Sequence, residues 1–423
     1  MWDRLKTLSL SIRILVGLAL GAVIGLALPS TGRNEGVDQF VEAAAIGGKL
    51  WLQALQMTIL PLVFGLVATL FIRSRGLTQG TGNARRAFYV MMAFYLLAIP
   101  IGIFSVEVYL GAFPVTDGMA QALRSMAGEG VPQESLHWQD SVLSLVPVNI
   151  ISAMAGPSLL PVLFFALIFG AALAKLPEGE GKRVLSSALN GLVDVAFVIV
   201  DWVLRLAPVG VALLILATTQ RFGADIFAGL AHWVILSSAN VLNVLVVVYV
   251  IVALATKVPV LSFAKAMLPA QSVAAGTQSS TGTMPVTIES CRTMGLSEEA
   301  IGATVPLAAV VFRPIAPASF VFTCSYASAV YGLPAASFAL LLTIGLLGVL
   351  MEMGSVGIPN AATAVAKFTP FAALVGFPIE IIVVFLVVEI IPDIVKTTTN
   401  VTAHAAAAAI VDRGVVSEPS PAE

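Results

Sequence analysis

A chain of 423 residues that is 58% hydrophobic and only 11% charged, with a mean hydropathy of +0.97, has too little charge to cover a soluble protein of its size. Its net charge of −2 creates no strong basic or acidic field, so nucleic acid is not expected as a partner. The chain reads as an all-α integral membrane protein.

The apolar run from Leu8 to Pro29 is long enough for a bilayer core of roughly 30 Å. No small-residue cleavage site follows it, so a retained helix is expected rather than a signal peptide. A second helix is predicted from about Val41 to Ile72 and a third from about Ala87 to Phe113. Pro147, Pro157 and Pro161 interrupt the next apolar region, Val142 to Leu176, which should form short, kinked pieces. Helices follow at about Leu185 to Leu216 and Ile226 to Thr256. From Ala266 to Ala373 the apolar segments shorten between Ser, Thr, Gly and Pro clusters, as in re-entrant loops and broken helices lining an enclosed cavity. Cys291 and Cys324 show no CxxC or Cys/His spacing and are assigned no role.

Connecting charges orient these helices. Arg4, Lys6 and Arg13, and then Arg73, Arg75, Arg85 and Arg86, place the N-terminus and the link between the second and third helices in the cytoplasm. Asp117, Glu129 and Glu134 against Arg124 read as an external loop from Pro114 to Gln139. Lys175, Lys182, Arg183, Lys257 and Lys265 return inside, and the last helix ends inside at Arg413. A multi-pass inner (plasma) membrane protein with both termini cytoplasmic is expected. Residues 1–256 carry six helices, 257–413 a core of hairpins and helices, and 414–423 a polar tail expected to be disordered.

In the final helix, Glu389, Asp393, Lys396, Asn400 and His404 recur at intervals of four, three, four and four, which places all five on one narrow helical face. Ionisable residues between apolar segments of a membrane helix usually line a solute or ion path. Upstream lies a repeat: Ser280-Thr281-Gly282 precedes Pro285, and Ser355-Val356-Gly357 precedes Pro359. Each sits between short apolar segments and is followed by a longer helix. Two such units entering from opposite sides would form an inverted repeat with small-residue tips near the midplane, where backbone can approach a ligand. No HExxH, GxSxG or Cys/His cluster points to an enzyme, a metal or a cofactor.

These residues resemble the dicarboxylate/amino acid:cation symporter family, the glutamate transporter homologues. The likeness runs from Gly48-Lys49-Leu50-Trp51 and Leu60-Pro61-Leu62-Val63-Phe64 to the Ser279–Thr287 and Gly354–Pro359 segments and Asn400-Val401-Thr402. It implies eight transmembrane helices plus two re-entrant helical hairpins in a homotrimer. Helices one, two, four and five would form the scaffold, while three, six, seven, eight and the hairpins would move as an elevator. A small carboxylated solute, an amino acid or a dicarboxylate, is the implied substrate. Asp393 would hold its amino group, with Asn400 and Ser280 on its α-carboxylate. Lys396 stands where acidic-substrate carriers have an arginine, and would either bind a second carboxylate or pair with Asp393. Gln278, Ser279, Thr281, Ile358 and Thr397 complete the implied binding set.

Departures from the family pattern bear on coupling. Its Asn-Met-Asp-Gly-Thr sodium motif is replaced by Phe312-Arg313-Pro314-Ile315-Ala316, which has no side-chain oxygen for a hard cation. Ala98 and Ile99 stand at Thr and Ser ligand positions, and His404 replaces a ligand aspartate, although Tyr95 is kept. The Arg313 guanidinium is expected to act as a tethered cation paired with Glu352; snorkelling or pairing with Glu389 is the alternative. Ser355 and Gly357 belong to the gate. Glu352, Glu389, Asp393 and His404 are candidates for proton coupling, against a purely hydrogen-bonded core role for His404. Coupling to protons, or independence of sodium, is favoured over sodium coupling. An uncoupled facilitator and an anion-conducting channel-like relative remain the alternatives.

Overall fold

The computed structural model describes residues 10–29, 35–57, 60–61, 64–65, 68–69, 82–127, 146–155, 160–223, 225–354 and 360–413. Among them every regular element is helical. Helix α1 (Leu10–Ala27) packs along α8 (Ala207–Phe222), which also contacts α2 (Glu35–Gln56). The α1 contact follows from a sequence device. Gly17, Gly21 and Gly25 recur every four residues, and this stripe lets the two backbones touch, as membrane helices commonly do. A Cβ added at Gly21 would lie 2.3 Å from the Ala212 carbonyl oxygen. The Trp51 indole of α2 is buried and donates to Val203 O at 3.0 Å. Gly21→Val is therefore expected to cost about 1–3 kcal/mol, because the clash is with backbone that cannot rotate away. Thermal unfolding in detergent would measure the loss.

Helix α3 (Gly82–Ser105) continues through a π turn at Val106–Leu110. At its start, Ser105 donates to Ile101 O, while Asn243 donates to Ser105 Oγ and to Tyr109 Oη. Among the described residues three stretches are long and apolar enough to cross a membrane: Arg85–Leu110, Glu180–Val203 and Asp225–Ala255. Ile235, Val246 and Leu254 on α9 (Asp225–Ala255) are exposed, which suits a surface facing lipid rather than water.

Two sequence expectations change here. The helix expected from Leu185 to Leu216 is two, α7 (Glu180–Arg205) and α8, divided at Leu206. Pro208 sits in the first turn of α8, where its missing N–H is tolerated but continuation of the preceding helix is not. The link from Pro114, expected to be external, contains a helix, α4 (Asp117–Ala127), that buries Ala120, Leu123 and Met126. Its charges hid an amphipathic pattern. The broken region after Val142 does form short pieces, α5 (Ile150–Ala155) and α6 (Leu160–Lys175).

Beyond α9 the chain becomes a set of shorter helices. Two pairs of helices in contact, α10 (Val260–Thr277) with α11 (Ser280–Thr293) and α14 (Phe338–Gly354) with α15 (Asn360–Val375), flank α12 (Glu298–Val311) and α13 (Ala316–Val330) in the chain. The chain ends in α16 (Glu380–Val387) and α17 (Ile390–Asp412). Helix α17 touches α3, α9, α10, α11 and α12, and so lies at the centre of this half. Its Ala405–Ala409 run is fully buried, since small side chains admit neighbours on all sides. Gln271 of α10 donates to Thr402 Oγ1 at 3.0 Å, tying the first pair to α17.

Candidate functional site

The first tip is a two-residue reversal. Gln278 closes α10 in the left-handed region, at φ 52°, and is the one non-glycine residue with positive φ among those described. Such a conformation stores strain and is typical of ligand-contacting backbone. It is held by the Gln278 side chain, which donates to Ile390 O at 2.9 Å and joins the tip to the first turn of α17. Ser279 then caps α11, its Oγ accepting from Gly282 N at 3.0 Å. Thr281 Oγ1 donates to Ala309 O at 3.3 Å. Ser280 and Thr281 line the cavity described below.

Opposite this tip, α12 and α13 are separated by Phe312–Ile315. Pro314 lacks an N–H and disfavours helical backbone at Arg313, and Phe312, which closes α12, is itself extended. The freed backbone groups find side chains. Arg313 N donates to Tyr95 Oη at 3.1 Å and Ile315 N donates to Asn400 Oδ1 at 3.4 Å. His404 Nε2 lies 2.7 Å from Phe312 O; because a carbonyl only accepts, that nitrogen carries the proton. His404 is 1% exposed and is not part of the cavity wall. The polar face of α17 thus divides: Glu389, Asp393, Lys396 and Asn400 reach the cavity, and His404 supports the break.

Two ion-pair groups stand at the cavity. Arg313 Nη1 lies 2.7 Å from Glu352 Oε1. Lys367 Nζ lies 3.0 Å from Glu352 Oε2 and 3.1 Å from Oε1. Glu352 is therefore a buried carboxylate between two cations. Lys367 was absent from the sequence-based candidates, although an ionisable residue inside apolar α15 was signal enough. In the second group, Lys396 Nζ lies 2.5 Å from Glu389 Oε1. Glu389 is thus engaged by Lys396 and not by Arg313. Lys396 reaches back two turns to Glu389, a partner that neither of the two sequence alternatives, a second solute carboxylate or Asp393, had named. Asp393 makes interactions of its own and is within electrostatic reach of Arg313.

Between these elements lies a cavity of about 530 Å³, within the range of small-molecule sites. Its lining includes the polar Gln278, Ser279, Thr397 and Asn400 and the apolar Trp233, Phe320, Phe368, Ile382 and Phe385. Trp233 stacks on Phe385 at 4.7 Å, and Phe320 packs on Phe368 at 4.9 Å between ring centres. The Ser319 hydroxyl and the Trp233 indole N–H are buried and have no partner among the described residues. Ser355, Gly357 and Ile358 lie outside the described residues. No His/Cys/Asp/Glu grouping able to hold a metal occurs among those described.

The chain is 26% identical to the proton/glutamate-aspartate symporter of Escherichia coli, an alignment covering 95% of this chain and 92% of that protein. It is 24% identical to a serine/threonine transporter of Bifidobacterium adolescentis, covering 93% and 86%. It is also 24% identical to C4-dicarboxylate transport protein 1 of Pseudomonas aeruginosa, covering 96% and 88%. The profile of the sodium:dicarboxylate symporter family matches residues 10–414, nearly the whole chain. With its helical fold and that match, the chain belongs to the sodium:dicarboxylate symporter family, a family of transporters and not of enzymes.

Proposed function

We propose that the protein is a secondary symporter that carries a small carboxylated solute, an amino acid or a C4-dicarboxylate, across the inner membrane by an elevator motion. The observation that carries this reading is the convergence of the first tip, the broken helix and the acidic and amide groups of α17 on one cavity. Asp393 suits an ammonium, and Asn400 with Ser280 suits a carboxylate, by donor and acceptor type. Relatives named for glutamate, aspartate, serine, threonine and C4-dicarboxylates support the solute class. A homotrimer with α3, α9 and the helices from α10 onward as the moving part, and both termini cytoplasmic, completes the proposal.

Coupling is to protons, or is independent of sodium. Phe312–Ala316 carry no side-chain oxygen, Phe312 O is engaged by His404, and Arg313 already places a cation on Glu352. A relative named as a proton symporter is in keeping with this. Glu352, Glu389, Asp393 and His404 are the candidate proton carriers. The same loss of oxygen ligands favours, as second reading, an uncoupled facilitator.

The test is uptake into proteoliposomes of labelled aspartate, glutamate, neutral amino acids and C4-dicarboxylates under separate sodium and proton gradients. Accumulation driven by protons and indifferent to sodium is expected. Sodium-driven accumulation would overturn the coupling, equilibration without accumulation would identify a facilitator, and flux that never saturates would identify a channel.

A further inference from the structure

The charged side chains lining the cavity form a closed set. Arg313, Lys367 and Lys396 face Glu352, Glu389 and Asp393, three cations against three carboxylates. Each cation is already matched: Arg313 and Lys367 flank Glu352, and Lys396 is bonded to Glu389. A second carboxylate on a solute would enter a partly dry site whose one remaining candidate ammonium, Lys396, holds a carboxylate of the chain. An uncompensated charge in such a place is strongly disfavoured.

We infer that Glu389 is a specificity residue that occupies the place of a solute's second carboxylate on Lys396, so that the cavity takes zwitterionic amino acids with bulky uncharged side chains and rejects diacids. This rests on the reading of the cavity as a solute site. Geometry supports it in three ways. The Glu389 carboxylate approaches Lys396 Nζ to 2.5 Å, and the two side chains are only 17% and 11% exposed, so the pair is held in a confined setting. A zwitterion adds no net charge to a balanced site, and its ammonium and single carboxylate find Asp393 and Asn400. Besides its charged groups the lining carries Trp233, Phe320, Phe368 and Phe385, apolar surface that suits a large uncharged side chain.

Glu389 thereby makes a reversible specificity element. With its charge removed, the Lys396 ammonium becomes the cation that a second carboxylate needs. Lysine lacks the planar fork of arginine, so the acquired acid binding would discriminate poorly between aspartate and succinate.

The experiment measures binding to the purified full-length protein and uptake into proteoliposomes, using L-phenylalanine, L-leucine, L-aspartate and succinate. The wild-type protein should bind phenylalanine or leucine at least tenfold more tightly than either acid. Glu389→Gln should gain at least tenfold in affinity for aspartate and succinate, and the double variant Glu389→Gln/Lys396→Met should show no such gain. Wild-type preference for aspartate or succinate would overturn this inference while leaving the transporter reading intact. Binding of none of the four, with no uptake, would overturn both. Should Glu389→Gln fail to fold, the wild-type preference still decides.

Discussion

Replacing Glu352 by glutamine is expected to lower the free energy of unfolding by about 3–5 kcal/mol, the usual consequence of leaving buried charge without its partner. Glu352 has 2% of its side chain exposed and accepts from both Arg313 and Lys367. Glutamine preserves its size but not its charge, and it leaves two cations facing each other across a neutral amide. Both cations border the cavity, but Lys367 is 4% exposed and Arg313 23%, so the lysine is the more deeply enclosed. Lys367→Met should therefore cost less than Glu352→Gln, because Arg313 still balances the carboxylate. The double variant Glu352→Gln/Lys367→Met should recover much of the loss, since the two positions act as a unit. Chemical unfolding in detergent micelles checks the series. A Glu352→Gln protein as stable as the wild type would show that the carboxylate carries no net charge-balancing role.

Arg313→Met is expected to reduce sodium-free uptake at least tenfold while leaving the protein folded. Lys367 remains to balance Glu352, so the substitution does not strand a buried carboxylate. What disappears is the guanidinium at the junction of the broken helix and α14, where Arg313 Nη1 meets Glu352. If that charge stands in for a metal cation, the cycle should stall without it, and a tenfold loss corresponds to about 1.4 kcal/mol. Uptake by Arg313→Met at the wild-type rate in the absence of sodium would reject the tethered-cation role. Measuring uptake with and without sodium in the same vesicles separates this from a general loss of activity. Restored uptake on adding sodium would show instead that the surrounding carbonyls accept a cation once the guanidinium is gone.

Much of this site was visible from local rules. The spacing of Glu389, Asp393, Lys396 and Asn400 at four, three and four residues put them on one face, and all four line the cavity. The Ser/Thr/Gly cluster after Gln278 announced a tip, whereas the break that Pro314 imposes at Phe312–Ile315 was read only as a lost ligand motif. The same rules overreached at His404. Helical periodicity assigns a side chain to a face but not to a depth, and one turn beyond Asn400 that face meets the broken helix instead of the cavity. They fell short at Pro208, whose division of one long apolar run into α7 and α8 was passed over, and at the Asp117–Ala127 helix, whose charges masked its buried alanines and leucine.

Membrane class, the polar stripe and the broken character of the C-terminal half follow from composition, periodicity and proline, because each is a property of residues within one or two helical turns. The partners of the charges do not. Glu352 and Lys367 lie fifteen residues apart, and Arg313 is thirty-nine residues from Glu352. Nothing in local spacing distinguishes Glu352 from Glu389 as the partner of Arg313, or Glu389 from Asp393 as the partner of Lys396. Electrostatic pairing in a low-dielectric interior is decided by distances of a few ångströms. Those distances exist only once α12, α14, α15 and α17 have packed, so it was the tertiary structure that closed the charge set of the cavity.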